Sequence, residues 1–392
     1  MTPKLKVMSV FGTRPDTIKM APVVHALRAH PEIDDIVCVT AQHRQMLDDL
    51  LALFKITPDY DLDVMTEDQT LTDVTTRVLS GMEVVLEEAA PDVVLVHGDT
   101  TTSTAAALAA FYQKVAVGHV EAGLRTKNRW LPYPEEMNRR LTATITSYHF
   151  APTPLSRDHL LAENIEADDI VVTGNTVIDA FLETAQREDL PRPPRWDELD
   201  ATRPIIVVTA HRRENHPHMP AMCEALAEIA RDEMRPQIYW PVHPSPRVAP
   251  VAHSVLDGVD GVVLVDPIDY AEMVAAVKAS VFVLTDSGGL QEEAPCLGKP
   301  VLVMRDETER PEGLIAGTLE LVGHDRAHIV SAAKQLLYDE AAYTKMAHAV
   351  NPYGDGHASE RIAAWLLARL REGTYPTPFS GGVASGAESP GR

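Results

Sequence analysis

The sequence has little cysteine, few aromatic residues and no long apolar run. Its 392 residues include only Cys38, Cys223 and Cys296, which are scattered and have no CxxC spacing. This pattern excludes a disulfide framework and a thiolate zinc site, and it predicts a reduced, cytoplasmic protein. No apolar stretch reaches the length that spans a bilayer. The apolar N-terminal segment soon meets Arg14 and Pro15, so it predicts a first β-strand and not a secretory signal.

Positive charge is also in deficit. Lysine and arginine total 35 against 57 aspartate and glutamate residues, and the formal net charge is −22. This excess of negative charge argues against general binding to nucleic acid or to an anionic membrane. An anionic ligand would need a local cluster of arginine, lysine and helix N-termini.

Two nucleotide-binding motifs are missing. The absence of GxGxxG argues against a tightly bound nicotinamide, and the absence of GxxxxGK[ST] argues against P-loop phosphoryl transfer. His211, His216 and His218 lie close together in "HRRENHPH", but this run is typical of a loop and lacks the i, i+4 spacing of helical metal ligands. We therefore predict neither a cofactor nor a metal ion.

Short apolar blocks such as "DVVLVHG" and "VFVLTD" alternate with helix-length segments along the whole chain. Such strands are typical of parallel sheets covered by helices on both faces, so the sequence predicts an α/β fold. The proline- and charge-rich segment 187–204 separates two halves of similar size. We assign residues 1–172 to a first domain and 173–356 to a second. Helix 357–371 is expected to pack back on the first domain, and the tail 373–392 to be disordered.

The segment "VLTDSGGLQEEA" combines a strand end with a glycine pair. Ser287 is a candidate N-cap, and Gly288 and Gly289 leave backbone N–H groups open at a helix start, which suits a phosphate or diphosphate. Ligands of open parallel sheets bind beyond the carboxyl ends of the strands. Glu292 or Glu293 then lies where a carboxylate could accept two hydrogen bonds from a ribose diol. A capped helix with solvated glutamates is the alternative.

Two other loops carry positive charge at predicted strand ends. In "GTRPDTIKMAP", Arg14 lies in a turn and Lys19 lies near a helix start, where a lysine opposes the helix dipole unless an anion lies between them. In "ETERPEG", Arg310 comes to the same edge of its sheet. An ordinary surface ion pair is the alternative for each of these cations.

Three carboxylates and one histidine are acid/base candidates. Asp99 and Glu121 follow predicted strands, and Glu135 begins a helix on which Arg139 is placed to pair with it at i+4. His211 also follows a strand and suits proton transfer or a hydrogen bond to phosphate. A cap or an ion pair is the simpler interpretation of any single carboxylate, but several converging on one cleft indicate a functional site.

These segments resemble one family, the non-hydrolysing UDP-N-acetylglucosamine 2-epimerases. The similar segments follow the family order from about residue 5 to residue 370, which is nearly the whole chain. They include "FGTRPDTIKMAPVV", "TAQHRQMLD", "VHGDTTTST", "VEAGLRT", "PEEMNRR", "TGNTVIDA", "TAHRREN", "PVHPSP" and "TDSGGLQEEAPCLGKPVLVMRDETERPE".

The resemblance implies two Rossmann-like domains of the GT-B type, UDP in the cleft between them, and a homodimer. It implies a diphosphate site formed by Arg14, Lys19, Ser287, Gly288, Gly289 and Arg310. Glu293 is implied to bind the ribose, and Arg139 to lie beside Glu135. The implied catalytic residues are Asp99, Glu121, Glu135 and His211.

The implied reaction explains this set of residues. The proton on carbon 2 of an N-acetylhexosamine is poorly acidic because no carbonyl is adjacent in the ring. Elimination of UDP from carbon 1, with removal of that proton, would form 2-acetamidoglucal, to which UDP adds back after protonation on the opposite face. Such a reaction needs a firm hold on UDP and an acid/base group for each face of carbon 2.

Other positions concern a second nucleotide-sugar site and the pocket for the uracil base. Bacterial members of the family use a second UDP-N-acetylglucosamine as activator, and the associated positions match at Gln42, Gln45, Glu135, Arg212 and His243. Asp68 stands where those members usually carry arginine, so we expect activation to differ from the usual form. Ile268 and Met273, near the implied uracil pocket, replace a glutamine and an aromatic residue. We count His243, Ile268 and Met273 as substrate-binding residues.

Several alternatives remain open. A GT-B glycosyltransferase would share the "SGG…EE…GKP" donor site but would require an acceptor. A hydrolysing relative would release UDP and free N-acetylmannosamine, and an epimerase for a modified UDP-sugar would need another substrate. A non-catalytic UDP-sugar-binding protein would have no need of Asp99, Glu121, Glu135 and His211.

Overall fold

We describe a computed structural model of the chain, covering residues 3–41, 44–66, 68–371 and 373–381, without the side chains of 44–46. The chain forms two compact units, Met1–Ala180 with Tyr353–Arg392, and Phe181–Pro352. None of the helices within these described ranges is both long and apolar enough to cross a membrane.

The first unit is built on a parallel sheet that, within the described residues, has seven strands in the order β3-β2-β1-β4-β5-β6-β7. The strands are β1 (Leu5–Phe11), β2 (Ile33–Val39), β3 (Tyr60–Asp61), β4 (Val93–His97), β5 (Ala116–Val120), β6 (Tyr148–Ala151) and β7 (Ile170–Val172). All five residues of β4 are buried, as expected for a strand covered on both faces. The direction of winding reverses between β1 and β4, which is where ligands bind in such sheets.

Helices cover this sheet and begin at side-chain caps. They are α1 (Arg14–Ala29), α2 (Arg44–Leu53), α3 (Leu71–Ala89), α4 (Thr101–Tyr112), α5 (Glu135–Ile145), α6 (Pro154–Ala162) and the start of α7 (Thr176–Ala185). Thr13, Thr70, Thr100 and Thr153 accept N–H groups at the starts of α1, α3, α4 and α6. Alanines of α4 and valines of α3 pack with Met8 and Val94 in one buried cluster.

The second unit repeats the architecture with a parallel sheet of six strands in its described residues, ordered β10-β9-β8-β11-β12-β13. The strands are β8 (Ile205–Thr209), β9 (Gln237–Pro241), β10 (Val262–Val265), β11 (Phe282–Thr285), β12 (Val301–Val303) and β13 (Leu319–Leu321). The helices are α8 (Met219–Ala230), α9 (Ala249–Leu256), α10 (Tyr270–Ala279), α11 (Gly288–Glu293), α12 (Pro311–Ala316), α13 (Arg326–Tyr338) and α14 (Glu340–Ala347). The winding reverses between β8 and β11. The predicted class, two Rossmann-like α/β domains with parallel sheets, is confirmed.

The chain leaves the first unit inside α7, between Ala180 and Phe181, and not after residue 172 as predicted. The first half of α7 is held in the first unit because the buried Asp179 accepts the backbone N–H groups of Ala358 and Ser359. These residues begin the last helix, α15 (Ala358–Arg371), which packs against α1.

Part of the segment predicted to be disordered has a defined position. The backbone N–H of Phe379 donates to the carbonyl of Val172 at 2.8 Å, and the guanidinium of Arg361 lies 5.6 Å from the centre of the Phe379 ring. The ring of Phe379 and the outer edge of β7 therefore hold this segment, although the composition of residues 373–381 is rich in turn formers. Residues 382–392 lie outside the described residues.

Candidate active site

Glu121 lies directly after β5, at the carboxyl edge of the first sheet. Its backbone has φ +62°, a left-handed conformation that is uncommon for a residue with a side chain and that often marks a functional position. The carboxylate is 7% exposed, pairs through Oε2 with Lys19 Nζ on α1, and lies 3.6 Å from His97 Nε2. Burial alone would raise the pKa of Glu121, but Lys19 and His97 outweigh it and hold the pKa well below its usual value.

His97, the last residue of β4, lies between two carboxylates. Its Nδ1 is 3.2 Å from Asp16 Oδ1, and the hydroxyl of Thr100 donates to the other Asp16 oxygen at 3.2 Å. Burial alone would lower the pKa of His97, but Glu121 and Asp16 outweigh it and raise the pKa. Strand end, helix start and loop thus form one buried chain of charged groups.

Asp99 and Arg139 form a second pair at this edge. Arg139 on α5 donates to Asp99 Oδ2 at 2.5 Å and lies 3.5 Å from the buried Glu136. The predicted i+4 pair of Arg139 with Glu135 is not among the ion pairs of the described residues, because the guanidinium turns toward the strand end. Within the same part of the chain, Glu135 Oε2 is a buried oxygen without a hydrogen-bond partner.

The turn before α1 is shaped by close packing. A Cβ on Gly12 would lie 1.8 Å from Thr40 Oγ1 and 3.1 Å from Thr40 Cβ, so any side chain there would force Thr40 to move. Arg14, which follows Thr13, is exposed at the start of α1. The first unit therefore brings Arg14, Lys19, Asp99, Glu121 and Arg139 to loops and helix starts at the carboxyl edge of one sheet.

In the second unit, the buried Asp286 organises the loop that carries His211. Asp286 Oδ2 accepts the backbone N–H groups of His211 and Arg212, both at 2.8 Å, and the amide of Asn215 at 2.9 Å. His211 Nδ1 lies 3.3 Å from Asp286 Oδ1. Burial lowers the pKa of His211, an effect that Asp286 opposes and that Arg212 and His243 reinforce.

The glycine pair follows Asp286 at the start of α11. Ser287 occupies the predicted N-cap position, but its side chain makes no capping hydrogen bond. Gly288 is buried and Gly289 is exposed. A Cβ on Gly289 would lie 3.5 Å from Glu293 Oε2, so the carboxylate of Glu293 lies beside the open backbone.

The neighbouring carboxylate has a different role. Glu292 is buried and pairs with Arg310, which places Arg310 against α11. Of the two glutamates that the sequence left open for a ribose, Glu293 is therefore the one that faces the glycine pair.

An acidic side chain also lies against the glycine pair. Glu309 accepts from Arg212 at 3.0 Å and from Arg305 at 2.5 Å, and a Cβ on Gly288 would lie 2.8 Å from its Oε1. Burial alone would raise the pKa of Glu309, but its own backbone N–H and Arg305 outweigh it and lower the pKa. The cations at this loop are thus bound to a carboxylate of the same chain.

The remaining predicted residues are more peripheral. His243 is exposed, and its ring stacks on that of His211 with centroids 5.8 Å apart. Ile268 and Met273, which flank the capped start of α10, are partly exposed. Asp68 is exposed, whereas Gln42 and the side chain of Gln45 lie outside the described residues. No group of three metal-ligating side chains that could hold an ion occurs in the described part of the chain.

Known proteins are similar to this chain in sequence and in fold. The family model that matches residues 25–367 is described as UDP-N-acetylglucosamine 2-epimerase. The chain belongs to this epimerase family. Enzymes of the same name from Yersinia pestis and Bacillus subtilis are each 53% identical over 365 residues, covering 91% and 93% of this chain and 97% and 95% of theirs. A crystal structure of the Neisseria meningitidis UDP-GlcNAc 2-epimerase bound to UDP-GlcNAc is 47% identical, has a TM-score of 0.83, and covers 93% of this chain and 100% of that one.

In this member of the epimerase family, sequence reasoning identified the loops but missed three of their buried side chains. Asp16, His97 and Asp286 hold the predicted residues Glu121 and His211 in place, Asp16 acting on Glu121 through His97. The available signal was that each lies within four residues of a predicted site residue: Asp16 precedes Lys19, His97 precedes Asp99, and Asp286 precedes Ser287.

Proposed function

We propose that the protein is a non-hydrolysing UDP-N-acetylglucosamine 2-epimerase that interconverts UDP-GlcNAc and UDP-ManNAc. The observation that carries the proposal is Glu121, a buried carboxylate held ionised by Lys19 and His97 at a strand end, in a chain 53% identical to an enzyme named UDP-N-acetylglucosamine 2-epimerase. A carboxylate kept ionised in a closed site is suited to removing a carbon-bound proton.

The second unit supplies the hold on the nucleotide. Backbone N–H groups at Ser287, Gly288 and Gly289 bind the diphosphate, and Glu293 accepts hydrogen bonds from the ribose. Arg310, Arg14 and Lys19 add positive charge, which stabilises UDP when it leaves carbon 1. Ile268, Met273 and His243 complete the contacts. The proposal requires that one substrate molecule reach residues of both units.

The reaction at carbon 2 then uses the acid/base groups. Glu121, Asp99 and Glu135 remove the proton and return one on the opposite face, and His211 acts in proton transfer or holds the phosphate. UDP leaves carbon 1 as the carbon 2 proton is removed, which forms 2-acetamidoglucal, and re-addition of UDP closes the cycle. Arg139 fixes Asp99 through the 2.5 Å contact. The overall conversion is redox-neutral and uses no cofactor.

We further propose that the enzyme is a cytoplasmic homodimer. All three cysteines are free thiols, which is typical of a reducing compartment. A second nucleotide sugar would bind at Gln42, Gln45 and Arg212. Activation at that site would be weaker than with an arginine at position 68, because the exposed Asp68 repels a diphosphate that an arginine would attract. Sedimentation velocity tests the dimer, and a sigmoidal dependence of rate on UDP-GlcNAc tests the activation.

The decisive experiment is incubation with UDP-GlcNAc alone in heavy water, followed by proton NMR. We expect UDP-ManNAc to form without an acceptor, with deuterium at carbon 2 of both recovered sugars. Release of UDP with free N-acetylmannosamine would assign the hydrolysing reaction instead, and dependence on an acceptor would assign a glycosyltransferase. Recovered sugars without deuterium would exclude proton exchange, and conversion of a substituted UDP-sugar alone would change the substrate.

A further inference from the structure

His97 is buried between Asp16 and Glu121 and is not one of the predicted site residues. His97 is 3% exposed, its Nδ1 faces Asp16 at 3.2 Å, and its Nε2 faces Glu121 Oε2 at 3.6 Å. Nε2 makes no hydrogen bond with the described residues, and the group that it faces is the carboxylate of Glu121.

Charge balance determines the state of His97. Lys19 contributes one positive charge, and Asp16 and Glu121 each contribute a negative one, so a protonated His97 makes the four groups neutral. A neutral His97 would leave one uncompensated negative charge in a buried site, which is costly. The other histidine beside this group, His119, donates its Nε2–H to the Gly98 carbonyl at 2.7 Å, and burial lowers its pKa to about 3. It adds no charge at neutral pH.

The geometry also orients the carboxylate. Lys19 and His97 both contact Oε2 of Glu121. In the described part of the chain, Oε1 takes part in none of the ion pairs of Glu121 and lies toward Gly98, where a Cβ would be 3.7 Å away. Lys19 and Asp16 are on the same first turns of α1, so one helix holds both ends of the chain of charges.

We propose that His97, held by Asp16, is a positioning residue that keeps Glu121 ionised and presents its Oε1 to the substrate. This inference rests on the proposed function, in which Glu121 moves a proton at carbon 2. His97 itself does not touch the substrate. It acts on Glu121, whose carboxylate it holds in position and keeps ionised.

The test is the pH profile of kcat/KM for His97→Gln, which keeps a polar side chain of similar size but removes the positive charge. An ionised base loses activity as pH falls through its pKa, and removal of a nearby cation raises that pKa. We therefore expect the acid limb of the profile to move toward neutral pH by about one unit, and kcat to fall about tenfold or more, with KM within about threefold.

His149→Gln is the matched control, because His149 is a buried histidine of the same sheet that lies outside this chain of charges. It should leave the acid limb in place. Thermal unfolding and calorimetric binding of UDP establish that each variant is folded. If His97→Gln does not fold, His97→Asn, which also removes the positive charge and keeps a polar side chain, carries the same expectation.

A second readout does not depend on catalysis. The carboxyl carbon of Glu121 is titrated by NMR in ¹³C-glutamate-labelled protein, assigned with Glu121→Gln. We expect its apparent pKa to rise in His97→Gln and to be unchanged in His149→Gln. Folded His97→Gln protein with an unmoved Glu121 titration overturns the inference, even if its kcat is reduced. A wild-type protein that shows the expected titrations but converts no UDP-GlcNAc contradicts the proposed function alone.

Discussion

Replacement of Asp286 by asparagine tests how the second unit positions His211. The wild-type carboxylate is completely buried and accepts three hydrogen bonds at Oδ2, from two backbone N–H groups and from Asn215. Hydrogen bonds to a charged group contribute about 1.5–3 kcal/mol, and those to a neutral group about 0.5–1.5 kcal/mol. If the amide oxygen of asparagine takes the place of Oδ2, each bond weakens by about 1 kcal/mol, and the free energy of unfolding falls by about 3 kcal/mol.

The same substitution changes the proton on His211. In the wild type, Nδ1 lies 3.3 Å from Asp286 Oδ1, and the negative charge of this carboxylate favours the tautomer that has its hydrogen on Nδ1 and its lone pair on Nε2. The amide nitrogen of asparagine in that place is a donor, which favours the opposite tautomer. His211 can then no longer accept a proton at Nε2 in its neutral form. We expect kcat to fall by about 100-fold or more, the range of a lost acid/base group.

Urea unfolding measures the first effect, and NMR of UDP-GlcNAc turnover with calorimetric UDP binding measures the second. Asp306→Asn is the control, since Asp306 is 78% exposed and lies 3.3 Å from His324 Nδ1, while the other nitrogen of His324 contacts Asn215 Oδ1 at 2.7 Å on the outer side of this network. Its stability should stay within about 0.5 kcal/mol of wild type. Asp286→Asn protein with unchanged stability and kcat within twofold of wild type would refute the assigned role of Asp286.

Further predictions concern the first unit. Asp99→Asn and Glu121→Gln should each lower kcat by about 100-fold or more while UDP binding by calorimetry stays within about threefold, and unchanged turnover in both would remove them as acid/base groups. Gly12→Ala should lower the free energy of unfolding by about 1–3 kcal/mol, because its Cβ would lie 1.8 Å from Thr40 Oγ1, and an unshifted urea midpoint would contradict this. Burial lowers the pKa of His119 from 6.5 to about 3, so the stability that it contributes is present above pH 6.5 and is lost as pH falls toward 3. Each pH unit in that window costs about 1.4 kcal/mol, so urea midpoints should fall less between pH 7 and pH 5 in His119→Gln than in wild type.

The fold was accessible from the sequence because its strands are fully buried. In β4 and β8 every residue is buried, and such runs are distinct from the amphipathic helices between them. The strand-end rule then selected the loops at Glu121 and His211. The domain boundary was less accessible, because α7 is one continuous helix whose first half is held by Asp179 and residues far along the chain.

Side-chain partners were the part that local patterns could not predict. The i+4 rule paired Arg139 with Glu135, but the strand order of the sheet brings Asp99 closer, and a long-range pair replaced the local one. The roles of Asp16 and Asp286 depend on burial, which raises the cost of an unpaired charge and so determines which groups must meet. A linear sequence shows neither burial nor the distance between two strand ends.

Glu309 is the counterion of the arginines beside Gly288. Arg212 and Arg305 both pair with this side chain, which lies against the same glycine that a diphosphate would approach, and Arg305 also pairs with Glu214 at 2.9 Å. Arrival of a nucleotide there would be an exchange of anions, with Glu309 released to water as the incoming phosphate takes its arginine. The ionic-strength dependence of UDP affinity should accordingly be shallower than the number of nearby arginines implies.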